Sequence, residues 1–296
     1  MKHENLTMRY LYAWGALLVL LGHCDGGGLR LFDSVLHYGA FHLAIFVFGA
    51  GYFAHKLPTF WSYAGRRVRK LLLPLWGWNI FYALVLFVLR IFGVTFGTPL
   101  SFRSMFLYPV YEAGMNVLNL ADWFVWPFFC VQLIYGLVFS FCARMENEKK
   151  QNKAEVLCGI LLILLGMTGM FMSNHGFHIP ALYPVFRVCY FLPFHVFGRW
   201  YRLYGEAFLK KVPPYLYSGL CLLLATLLTR HFGRPVYVIP SSCDYPFGVA
   251  VSILSGLLGV GFWMGICEVL ACKKQSVLSL LSLLCHSAGL AHQMSL

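Results

Sequence analysis

Apolar stretches long enough to cross a bilayer recur along this chain, with short basic connections between them. Residues 156–171 read VLCGILLILLGMTGMF, without a single charge. Marking stretches of roughly 20 apolar residues gives segments at 10–24, 34–55, 71–93, 123–142, 154–173, 183–203, 214–229, 245–271 and 276–296. A soluble fold of 296 residues cannot hide a surface that is 59% hydrophobic and only 11% charged in one core. Lipid can solvate it. In hydrocarbon the backbone must satisfy its own hydrogen bonds, which leaves helices or closed barrels. Continuous apolar runs are helix-like, whereas barrel strands alternate in short segments. The fold expected is an all-α, polytopic transmembrane helix bundle of about nine to ten spans, forming a single integral membrane domain over 1–296.

The net charge of +12 follows a membrane pattern and not a nucleic-acid one. With the N-terminus placed in the cytoplasm, that side holds Lys2, Arg9, Lys56, Arg66, Arg67, Arg69, Lys70, Arg144, Lys149, Lys150, Lys153, Arg199, Arg202, Lys210, Lys211, Lys273 and Lys274. The other side holds Arg30, Arg103, Arg230 and Arg234, while Arg90 and Arg187 fall within apolar stretches. This is the positive-inside bias. It predicts a multi-pass protein of the cell (inner or plasma) membrane with lipid as its surroundings and no nucleic-acid partner. The N-terminus carries no small-residue cleavage site after its first apolar stretch, so that stretch is expected to stay as a helix. The cysteines are scattered without a C-x-x-C pair, which predicts neither a disulfide framework nor a metal site.

Few residues in such a chain can do chemistry. The first apolar run ends LLVLLGHCDGGG at 17–28. His23 stands where the run meets water. A neutral imidazole there can accept a proton from an alcohol near pH 7, or it can simply end the helix at the interface. Asp25 either orients His23 or is an exposed carboxylate of the glycine turn that follows, and the adjacent glycines favour the turn. The second segment, HYGAFHLAIFVFGAGYFAHK at 37–56, carries His42 deeper in, and then Gly49-Ala50-Gly51, small residues that permit close helix approach. His55 adjoins the basic connection as an interface residue. Arg66, Arg67, Arg69 and Lys70 stand directly before the third segment. Topology needs only some of these charges; the other reading is an anion site, since arginine offers a planar fork for phosphate.

Taken in order, several elements resemble the acyltransferase family 3 membrane proteins. They are the first span ending in Gly22-His23, FHLAIFVFGAGYF (41–53), RRVRKLLLP (66–74) with Asn79 shortly after, DWFVWPFF (122–129) and FLPFHVFGRW (191–200). The resemblance covers roughly residues 8–200. It departs at Tyr12, where the family carries Arg or Lys, at Ala44 in place of a proline, and at Ala50 in place of a serine.

The resemblance implies an O-acyltransferase that moves an acyl group, often acetyl, from cytoplasmic acyl-CoA to a hydroxyl of a cell-surface glycan or lipid-linked sugar. His23 would take the hydroxyl proton or relay the acyl group. Arg66, Arg67, Arg69 and Lys70 would hold the coenzyme phosphates. His42, Trp123 and Asn79 would line the substrate cavity. Acyl-CoA would be a donor substrate, with no cofactor bound permanently. Two other classes fit the same residues. One is a transporter or flippase, with intramembrane His and Arg along its pathway, although no inverted repeat of the usual transporter kind is seen. The other is a non-catalytic partner in polysaccharide export, which Tyr12 favours.

Overall fold

A computed structural model describes residues 5–23, 34–55, 59–94, 101–111, 122–145, 147–176 and 179–272. The described residues are mostly helical and contain no strand. The helices are α1 (Leu6–His23), α2 (His42–Tyr52), α3 (Phe60–Ile91), α4 (Asp122–Cys142), α5 (Glu148–Asn174), α6 (Tyr183–Trp200), α7 (Pro214–Phe232) and α8 (Val249–Cys272). A helix therefore lies on each apolar segment expected up to 245–271, and 276–296 falls outside the described residues. Four helices, α3, α4, α5 and α8, are long and apolar enough to cross a membrane. α1 and α2 are apolar but shorter. α6 has the length but carries Arg187, His195 and Arg199, and α7 ends on Arg230 and His231.

The chain divides into two compact units. The first comprises residues up to Ala54, Pro193–Ile239 and Tyr245 onward; the second comprises His55–Leu192 and Pro240–Asp244. The boundary in α6 falls at Pro193, which lacks the backbone N–H that would close a helical hydrogen bond.

In the first unit α1 packs on α2 and α8, and α8 packs on α7. α2 and the second half of α6 meet backbone to backbone. A Cβ at Gly51 would run into the carbonyl of His195, and one at Gly198 into the carbonyl of Phe48. The small residues of 49–51 are thus a packing device, the role that small residues play where membrane helices cross closely. Tyr12 stacks against Phe46 and Phe53 at 5.9 and 6.3 Å between ring centres, with its ring over Gly49. A basic residue at that buried position would put its charge among aromatic rings.

In the second unit α3 packs on α4, and α4 on α5. Glycines again set the spacing: Gly136 of α4 lies under the ring of Tyr63, and Gly169 of α5 under Cys189 of α6. The helical segment 103–111 leans on α3 and α4.

Candidate functional site

The basic cluster lies near the start of α3. Thr59 caps this helix, accepting from the Ser62 N–H at 3.2 Å, the usual role of a threonine at that position. About two turns further on, Val68–Leu72 forms a π-turn, an extra residue inserted into the helix. Such turns recur at functional sites. Arg66 and Arg67 end the α-helical part and Arg69 and Lys70 lie in the π-turn, so four cations form a short basic arc within five residues. The Arg67 guanidinium rests 4.8 Å over the ring of buried Tyr63, which anchors it to the packed side of the helix. Arg66 and Arg69 are exposed and Lys70 is half-buried. Lys70 lies within electrostatic range of Arg66 and Arg67. None of the four has a carboxylate partner among the described residues. Four like charges crowded this way repel one another unless an anion is shared among them.

About 13 Å further along the same helix, at 1.5 Å per residue, stands Asn79. It is part of a buried polar cluster that the second unit forms around Arg187. Asn79, Asp122 and Arg187 are each exposed by 2% or less. Arg187 donates from Nε and Nη2 to the Ser241 carbonyl at 2.9 and 2.7 Å, and from Nη1 to the Val110 carbonyl at 3.2 Å. Its guanidinium lies 5.3 Å over Trp123 and 5.9 Å over Tyr183. Asn79 donates to the Met105 carbonyl at 3.3 Å and sits beside Asp122. Asp122 begins α4 and approaches the Trp123 backbone N–H. Its Oδ1 is buried without a hydrogen-bond partner among the described residues. Ionisable groups inside a membrane helix bundle are expensive and usually functional.

Trp123 and Asn79, named from the sequence, therefore do come together, but inside a cluster centred on two residues that the acyl-transfer reading gave no role. The signal for both was present. Arg187 is a charge inside an apolar stretch, and Asp122 opens the same DWFVWPFF element from which Trp123 was chosen.

His23 is the last residue of α1; the placement of its side chain lies outside what the structure describes. The residue before it, Gly22, lies against the ring of Tyr38, whose Oη donates to the Gly22 carbonyl at 3.3 Å. The Tyr38 ring also meets that of His42, with ring centres 5.2 Å apart. His42 Nδ1 lies 2.8 Å from the Tyr38 carbonyl. A carbonyl can only accept, so Nδ1 carries the proton and Nε2 is the basic nitrogen. The first unit thus brings half-buried His42 to the end of α1 where His23 stands.

No protein-family model, curated protein or solved structure matches the chain.

Proposed function

We propose that the chain is a membrane-embedded O-acyltransferase that moves an acyl group, acetyl in the first instance, from acyl-CoA to a hydroxyl of a surface glycan or lipid-linked sugar. The observation that carries this reading is the arc of Arg66, Arg67, Arg69 and Lys70 without a carboxylate partner among the described residues. A coenzyme with several phosphates supplies the missing negative charge in one molecule. Asn79, about 13 Å along the same helix, lies in the direction that an extended pantetheine arm would take into the bundle. The order of the sequence elements from Gly22-His23 to FLPFHVFGRW supports the same reading.

In this mechanism the imidazole of His23 removes the proton of the acceptor hydroxyl as its oxygen attacks the thioester carbonyl. The carbon–sulfur bond then breaks, the coenzyme leaves as its thiol after taking up that proton, and the acyl ester remains on the acceptor. His42 stands next to that end of α1 as a second imidazole. The topology that goes with the reading has the N-terminus in the cytoplasm and the chain crossing the membrane about nine times.

A transporter is the second reading, favoured by the buried pair Asp122 and Arg187, since such pairs also mark solute paths. Coenzyme binding separates the two. Purified wild-type protein is expected to bind CoA, measured by calorimetry in detergent. The variant Arg66→Gln, Arg67→Gln, Arg69→Gln is expected to bind it at least tenfold more weakly, given that a hydrogen bond to a charged group contributes about 1.5–3 kcal/mol. Equal affinity in both proteins would leave the arc as a topology signal alone.

A further inference from the structure

Beside the basic arc, α3 carries a residue that the acyl-transfer reading leaves without a role. Trp61, in its first turn, is 81% exposed, more than any other large apolar side chain among the described residues. The Phe60 ring meets it at 5.4 Å in a T-shaped arrangement, and the rest of the indole is open. A tryptophan at the start of a membrane helix can be an interface anchor, but the surroundings of this one are not apolar. Two residues on, about 200° round the helix, Tyr63 is buried with its ring over Gly136 of α4. Trp61 therefore faces away from the packed side. One turn on from Trp61, on the same face, stands Gly65, where a Cβ would meet nothing within 4 Å. Ser62, Gly65, Arg66 and Arg69 are all exposed. The open strip of α3 is thus an indole, then bare backbone, then guanidinium groups.

The order of groups along the helix selects one kind of anion. From its N-terminal end α3 presents Trp61, then Arg66, Arg67, Arg69 and Lys70, then Asn79. In CoA the order is adenine, then the phosphates with only a ribose between, then the pantetheine arm. The rise from Trp61 to Arg66 is about 7.5 Å, the scale of one ribose between a base and its phosphates. An inorganic phosphate, a diphosphate or a phospholipid headgroup would answer the guanidinium groups equally well, but none of them brings a flat ring for the indole.

We propose that Trp61 is the base-stacking residue of the coenzyme site, its indole carrying the adenine of acyl-CoA, with the ribose over Gly65 and the phosphates on Arg66 and Arg69. The proposal rests on the reading of the basic arc as a coenzyme site. Stacking on an aromatic side chain needs no hydrogen bond to the base, because every base has a π-face. Trp61 therefore favours a nucleotide over a simple phosphate without choosing strongly among bases. Gly65 keeps the space between indole and guanidinium groups clear, and a long side chain there would stand where the ribose lies.

The test is calorimetry of the purified chain in detergent with two probes, CoA and inorganic diphosphate, which has phosphates but no base. Trp61→Leu keeps an apolar side chain at this exposed position and removes the aromatic face. It should bind CoA at least about fivefold more weakly and diphosphate with unchanged affinity. Trp61→Phe should restore most of the CoA affinity. Gly65→Leu, which fills the bare strip, should lower it. Unchanged CoA affinity in Trp61→Leu would overturn the proposal, leaving Trp61 an interface anchor and the basic arc still a coenzyme site. Equal weakening of CoA and diphosphate would also overturn it, because Trp61 would then act only by placing the helix. Absence of CoA binding by wild type would overturn the coenzyme site itself, and this proposal with it.

Discussion

Glu206 shows how a single carboxylate can tie distant parts of one unit together. It accepts from Tyr52 Oη at 3.0 Å, from Arg202 at 2.5 Å and from Lys210 at 2.9 Å, while Asn5 donates to the same tyrosine oxygen at 2.6 Å. Burial pushes this carboxyl up, but the hydrogen bonds from Lys210, Arg202 and Tyr52 outweigh it and hold its pKa below the ordinary 4.5. A carboxylate whose folded pKa is depressed stabilises the fold above its unfolded pKa, and that contribution is lost as pH falls through the folded value. The protein in detergent should therefore lose thermal stability as pH drops below about 4.5. Its charged partners Arg202 and Lys210 are at least half-exposed, so the contribution is on the order of 1 kcal/mol. Glu206→Gln should lie lower at neutral pH and flatter in the acid limb. An acid limb with the same slope in the variant would show that Glu206 does not carry it. The long-range part of this network was not legible beforehand. Arg202, Glu206 and Lys210 stand four residues apart, but Tyr52 and Asn5 are far from them in the chain, and only the fold brings them to Glu206. The basic arc at Arg66–Lys70 was legible, because its members are neighbours on one helical turn.

At the scale of elements, the crossing of α2 and α6 is the sharpest feature of the first unit. Gly51 and Gly198 each face a backbone carbonyl of the other helix, and backbone cannot move aside as a flexible side chain can. Gly51→Ala should therefore destabilise the protein by at least about 1–3 kcal/mol, the usual cost of overpacking. Gly65 of α3 has open space where a Cβ would go. Gly65→Ala should be neutral or stabilising by about 0.5–1 kcal/mol, since alanine is the better helix former. Thermal unfolding of both variants in one detergent checks the pair, and equal effects would contradict the crossing. The sequence showed that 49–51 could permit close approach, but not which helix approaches. The π-turns at Val68–Leu72, Arg103–Leu107 and Tyr201–Gly205 were not legible at all. A single inserted residue leaves the apolar pattern intact over the short window in which a period can be read.

At the scale of the whole chain, hydropathy located the helices well because lipid demands long apolar runs, and each run is a local property. It could not divide the chain into two units, nor show that the boundary at Pro193 runs through one helix. It also named Trp123 and Asn79 as lining residues without Asp122 and Arg187, because a search for catalytic imidazoles passes over a buried aspartate and an arginine set against aromatic rings. The central claim is that the chain carries an acyl group from coenzyme on one side of a membrane to an acceptor on the other, through His23. The most direct measurement is made in proteoliposomes of defined orientation, with radiolabelled acetyl-CoA on the face of Arg66 and Arg69 and a glycan acceptor on the opposite face. Wild type should label the acceptor, and His23→Gln, which keeps a hydrogen-bonding side chain but cannot take up a proton near neutral pH, should do so about 10²–10⁴-fold more slowly. Label transfer by His23→Gln at the wild-type rate would contradict the account.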